Sequence, residues 1–182
     1  MKPALGPLAR LAQQVDGHLY PGRGISSEFL NNFLTMVCGE EEEFAGVASI
    51  DQLPRLRRTV APRHRYQLVI NLGDRTSGSL DGHFVALVVT PSLVYYTDPF
   101  GLPPPPDRRL TAFLRACGRP VRVSKIQLQD FRSVYCGLFT MLLVWHANAG
   151  RPFPLRLPRR PRGDFLKNDQ WCMRMLRRLS RL

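Results

Sequence analysis

Cys136 is the residue best placed for nucleophilic chemistry, because it stands at the mouth of a long apolar run, Tyr135-Cys136-Gly137-Leu138-Phe139. The run continues through Met141, Leu142, Leu143, Val144 and Trp145 and closes at His146-Ala147-Asn148-Ala149-Gly150, the pattern of a buried helix ending at a glycine cap. Cys136 then lies at or just before the helix N-terminus. There, unpaired backbone N–H groups and the positive end of the helix dipole favour a thiolate over a thiol. Free cysteine is also among the most buried residue types. The nucleophile reading therefore turns on whether the chain supplies a base, a group that orients the base, and donors for an oxyanion.

Four histidines are available. His146 is ten residues along the same helix, roughly 15 Å from Cys136 at 1.5 Å per residue, and is too far to act as its base. His18 falls in an N-terminal arm and His64 in a charged stretch. His83 stands at the first position of a core strand, after Asp81-Gly82. Asp98 ends the neighbouring strand, and Pro99 fixes the bend after it. A hairpin with its tip at Pro91-Ser92 pairs residues whose numbers sum to about 182, so His83 and Asp98 meet near its open end. Gln129, seven residues before Cys136, could donate its amide to an oxyanion together with the Cys136 N–H, and Gln127 competes for that part.

The elements that must position these residues are legible in the pattern. Ser26-Ser27-Glu28 opens a helix whose Phe29, Leu30, Phe33, Leu34 and Val37 share a face, with Gly39 as its stop. Tyr66 to Leu72, His83 to Val89 and Leu93 to Thr97 read as strands, the last two as an antiparallel hairpin. Pro103 to Pro106 is a stiff connection. A helix is expected over Arg108 to Ala116, a fourth strand over Val121 to Gln127, and a last helix over Phe165 to Leu179 with Trp171, Met175, Leu176 and Leu179 inward. The basic stretch Arg55, Arg57, Arg58, Arg63, His64 and Arg65 is expected on a surface loop. The organisation is an arm over 1–25, a core over 26–150, and a basic linker with a C-terminal helix packed on the core over 151–182.

At 182 residues and 20.7 kDa the chain is long enough for one well-cored domain. Its net charge is +12, and residues 51–182 hold 23 Lys and Arg against 8 acids, a field that would draw the chain to a polyanion. Residues 151–182 carry ten of those cations and two acids, so Arg159, Arg160, Arg162, Arg177 and Arg178 are the candidate DNA-contacting residues. Cys38, Cys117, Cys136 and Cys172 are irregularly spaced, which fits free thiols in a reducing compartment and argues against zinc. No apolar run reaches the ~18–20 residues of a membrane span, and residues 1–24 lack the apolar centre of a secretory signal.

The sequence resembles the adenovirus endopeptidase (adenain) family, with the wider group of SUMO- and ubiquitin-like-protein proteases behind it. Gly82-His83-Phe84-Val85-Ala86 is similar to the family's Gly/Val-His-Trp-x-Ala, and Asp98-Pro99-Phe100-Gly101 to its acid-Pro-Phe-Gly. Gln129, followed at seven by Cys136-Gly137-Leu138-Phe139, is similar to its Gln and Cys-Gly-Leu-Phe. Phe84 stands where Trp is usual, and Asp98 matches the SUMO-protease side of the group, since adenovirus enzymes commonly have Glu there. The resemblance implies an α+β, papain-like fold with a central mixed sheet, a hairpin, and a buried helix carrying the nucleophile. It also implies His83 as base, Asp98 as its orienter, Gln129 as oxyanion donor and Cys136 as nucleophile.

The activity so implied is a viral cysteine endopeptidase that matures virion precursor proteins after small residues such as glycine, acting as a monomer in the host nucleus and virion. The chemistry needs no cofactor. DNA and a viral peptide disulfide-linked to a cysteine are the activators the resemblance suggests, with Cys117 near that region but not cleanly aligned. Two alternatives are an isopeptidase that removes ubiquitin or a related modifier from host proteins, and a basic nucleic-acid-associated virion protein on a protease scaffold.

Overall fold

A computed structural model describes residues 25–38, 43–73, 82–150 and 165–179. The arm before Ile25, residues 39–42 and 74–81, and the linker bearing Arg159, Arg160 and Arg162 lie outside the described residues, as do the side chains of Leu176, Arg177, Arg178 and Leu179.

In chain order the elements are α1 (Ser27–Cys38), β1 (Phe44–Ser49), a single 3-10 turn (Ile50–Gln52), α2 (Leu53–Thr59), β2 (Tyr66–Asn71), β3 (Phe84–Val89), β4 (Val94–Thr97), α3 (Arg108–Ala116), β5 (Val121–Val123), α4 (Cys136–Asn148) and α5 (Phe165–Leu179). Strands β1 to β5 form one mixed sheet in that spatial order. Strands β2, β3 and β4 are an antiparallel meander, and β1 and β5 pair parallel to its outer strands. The α+β architecture with a central mixed sheet is thus as expected.

Side chains alternate across the sheet, and each face is covered by helices. Val69, Phe84 and Ala86 point to one core with α1, α4 and Cys172 of α5. Tyr66, Leu68, Ile70, Val85, Leu87 and Val89 point to the other, with Leu53 of α2 and Leu110, Phe113 and Leu114 of α3. Helix α4 is buried without interruption from Cys136 to Val144, which is why its sequence is apolar all round rather than on one stripe. It approaches β3 closely at Gly137, where a Cβ would stand 3.4 Å from the Phe84 ring and 3.5 Å from Ile25.

The helix ends follow local chemistry. The Phe29 N–H donates to Ser26 Oγ at 3.1 Å, starting α1 where the sequence suggests. Asp107 caps α3 by accepting from the Arg109 and Leu110 N–H groups, at 2.7 and 3.3 Å. Gly150 closes α4 with φ +63°.

Two expectations need correction, and one strand was not foreseen. The basic stretch is not all loop: Arg55, Arg57 and Arg58 lie on α2, where Pro54 occupies the first turn that tolerates it and Leu53 is buried. Phe44–Ser49 is a strand, its alternation hidden by Gly46 at φ +108° and a register shift between Phe44 and Val47. Strand β5 stops at Val123 instead of reaching Gln127, because the following residues leave the sheet and the Leu128 and Gln129 N–H groups both donate to Pro99 O, at 2.8 and 3.0 Å.

Candidate active site

The hairpin brings His83 and Asp98 together near its open end as diagonal neighbours on one face. Ala86 pairs with Thr97 and Leu87 with Tyr96, so paired numbers sum to 183, one more than the turn alone suggested. His83 Nε2 is 2.8 Å from Asp98 Oδ1. The Asp98 side chain is only 3 % exposed, and that of His83 is 23 % exposed, so the acid is enclosed while the ring keeps an open face. The Phe100 N–H donates to the same Oδ1 at 2.7 Å, fixing the carboxylate from behind.

Cys136 is within hydrogen-bonding reach of the His83 side chain. Burial pulls the imidazole toward neutrality. The hydrogen bonds to Asp98 and Cys136 and the charges on both outweigh this and push its pKa up to about 9. Tyr135 precedes Cys136 with no side-chain cap, and the first helical bond in this turn runs from the Phe139 N–H to Tyr135 O at 3.1 Å. The N–H groups ahead of Phe139 are therefore free of helical partners at the thiol.

The other cysteines are in different surroundings. Cys117 sits 3.3 Å from the Tyr66 hydroxyl, and Cys172 is fully enclosed; burial pushes both thiols up, which keeps them protonated.

Gln129 is wholly buried on the loop that leads from β5 to Cys136. Its amide Nε2 donates to Ser133 O at 2.6 Å, leaving one N–H of that group for another acceptor. Gln127 instead braces the loop, donating from Nε2 to Gln129 O at 2.9 Å. Helix α5 holds the same loop from outside: Asn168 Nδ2 donates to Leu128 O at 3.0 Å, and the Asp169 carboxylate accepts a hydrogen bond from Ser133.

Two features escaped the sequence reading. Phe100 stacks on His83 with centroids 4.5 Å apart and planes 13° apart, and Phe131 stacks on Phe100 at 5.1 Å. Phe100 was legible in principle, because 83 and 100 sum to 183, whereas 83 and 98 sum to 181. The Asn168–Asp169 clamp had no signal, since it depends on where a distant helix docks.

No protein-family model and no curated protein matches the chain by sequence. Among solved structures it is similar to the pS273R protease of ASFV, with a TM-score of 0.60 and 13 % identity over 96 % of this chain and 69 % of that one. It is also similar to the SUMO protease Ulp1, with a TM-score of 0.50 and 12 % identity over 98 % of this chain and 94 % of that one. The chain shares the fold of these two proteases.

Proposed function

We propose, from the shared protease fold and from the His83–Asp98 pair at 2.8 Å beside a cysteine on a helix N-terminus, that the chain is a cysteine endopeptidase. The carrying observation is that pair, with His83 in hydrogen-bonding reach of Cys136.

In the proposed cycle His83 holds Cys136 as thiolate and Asp98 holds the ring in plane. The thiolate attacks the scissile carbonyl, and the oxyanion is met by the Cys136 N–H and the spare N–H of Gln129. His83 then gives its proton to the leaving amine, and water releases the acyl group.

The substrates we propose are viral precursor proteins cut after small residues such as glycine, in the reducing interior of the host nucleus and in the virion. DNA acting on the basic surface is the proposed activator. The test is turnover of a fluorogenic peptide with glycine before the scissile bond, by the parent and by Cys136→Ala, with and without DNA. Cysteine-dependent turnover is expected, and equal cleavage by Cys136→Ala would sink the mechanism.

A second reading is removal of a ubiquitin-like modifier, favoured by the 98 % of this chain that superposes on a SUMO protease. Rapid labelling of Cys136 by a modifier-derived electrophile, with precursor peptides ignored, would select it.

A further inference from the structure

The ring stack on His83 ends at a residue with no structural employment. Phe131 is 60 % exposed, the most exposed of the large apolar side chains among the described residues. It sits on the loop between Gln129 and Cys136, and its ring continues the stack from His83 through Phe100. Leu102 and Ile126, 44 % and 46 % exposed, adjoin the same corner, where the Gly101 turn is in contact with the backbone of Ile126 and Gln127. Exposed apolar surface beside a reactive centre costs solubility unless something covers it.

The direction of proton transfer says which part of a substrate passes there. The imidazole must deliver its proton to the leaving nitrogen, so the residue carrying that nitrogen lies over His83 and against whatever extends from its ring. We propose that Phe131, backed by Phe100, is the subsite for the residue immediately after the scissile bond, and that it selects an apolar side chain there. This rests on the peptidase reading and narrows it: the substrate class becomes polypeptides with a small residue before the bond and a leucine- or phenylalanine-like residue after it. A flat, stacked ring suits an aliphatic or aromatic group by contact area and by ring–ring geometry. It offers no carboxylate to a charged lysine side chain at that position.

The experiment is kcat/KM of the full chain, with duplex DNA present, on internally quenched peptides that differ only at the position after the scissile glycine, carrying Leu, Phe, Lys, Asp or Gly there. The parent is expected to favour Leu and Phe over Asp by about tenfold, a contact difference of about 1.4 kcal/mol. Phe131→Ala should bring that ratio close to one, and Phe131→Leu should restore most of it, with thermal melts showing that each variant is folded. A ratio unchanged in folded Phe131→Ala overturns the subsite, as does a parent preference for Lys. A parent that cleaves none of the peptides overturns the peptidase reading and the subsite with it, whereas cleavage of all five at one rate overturns the subsite alone.

Discussion

At the scale of single residues, the His83 ring has three partners: Asp98 at Nε2, the Cys136 side chain, and the Phe100 face at 4.5 Å. An aromatic face beside an imidazole also favours its charged form. Burial works against that charge, so the value of about 9 depends on the two partners. The sign of the pH dependence follows. The thiolate–imidazolium form needs His83 protonated, so kcat/KM should fall as pH rises through about 9. Asp98→Ala removes one of the groups that raise the pKa. It should move this limb to lower pH and cut kcat/KM by about 10²–10⁴-fold without abolishing it, as a pH–rate series would show. A limb unmoved in the variant would mean that Asp98 does not act through His83. The stability linkage has the same sense: the folded pKa lies above 6.5, so the His83 contribution is complete below that value and is lost as pH rises through about 9. The pair was readable in the sequence because both residues ride one hairpin, whose register is local. The spare N–H of Gln129 and the reach of Phe131 were not, because a loop with no period fixes neither.

At the scale of elements, two contacts far apart in sequence set the loop before Cys136. The first is the Asp98–Gly101 turn. Gly101 has φ +72°, and a Cβ there would stand 2.9 Å from the Gln127 backbone nitrogen, so no side chain fits without moving the main chain. Gly101→Ala should destabilise the fold by about 1–3 kcal/mol in denaturant titration. It should also lower kcat by more than the unfolded fraction explains, because the same turn positions both Asp98 and the Gln129 segment. The second contact is α5. Burial, with the charge of Asp130, pushes Asp169 up to about 6 against the opposing hydrogen bond from Ser133; the Cys172 thiol is its other titratable neighbour. The folded state therefore holds that proton more tightly than the unfolded chain, and stability falls as pH rises from about 4 through 6. Asp169→Asn removes this titration. The Tm of the variant relative to the parent should climb over that range and level off above about pH 7; a constant difference would show that the carboxyl is not perturbed. Helices α1 and α3 were legible because periodicity and caps agree, α4 because a long apolar run ends at a glycine, and α5 by its periodicity alone. Helix α2 was hidden by its arginines, and β1 by the glycine that interrupts its alternation.

At the scale of the whole molecule, the charge of +12 is the property no single element explains. Arg55, Arg57 and Arg58 show that part of it is exposed on α2. If the C-terminal segment carries the DNA contacts, replacing Arg159, Arg160 and Arg162 together by Ala should weaken binding to duplex DNA. The salt dependence, log K against log salt, should become shallower by about 0.9 for each phosphate the variant no longer neutralises. An unchanged slope would assign DNA binding to another surface. Among the described residues no helix is long and apolar enough to cross a membrane. The two cores on opposite faces of the sheet have a kinetic corollary. His83 and Asp98 belong to a meander of neighbouring strands that can close early from short-range contacts, whereas Cys136 rides a helix that joins the sheet only when α1, α4 and the Phe84 face condense together. Acid and base thus come together before the nucleophile does. A newly made chain holds the thiol apart from His83 until its last layer docks, and a partial opening that lifts α4 separates the two again.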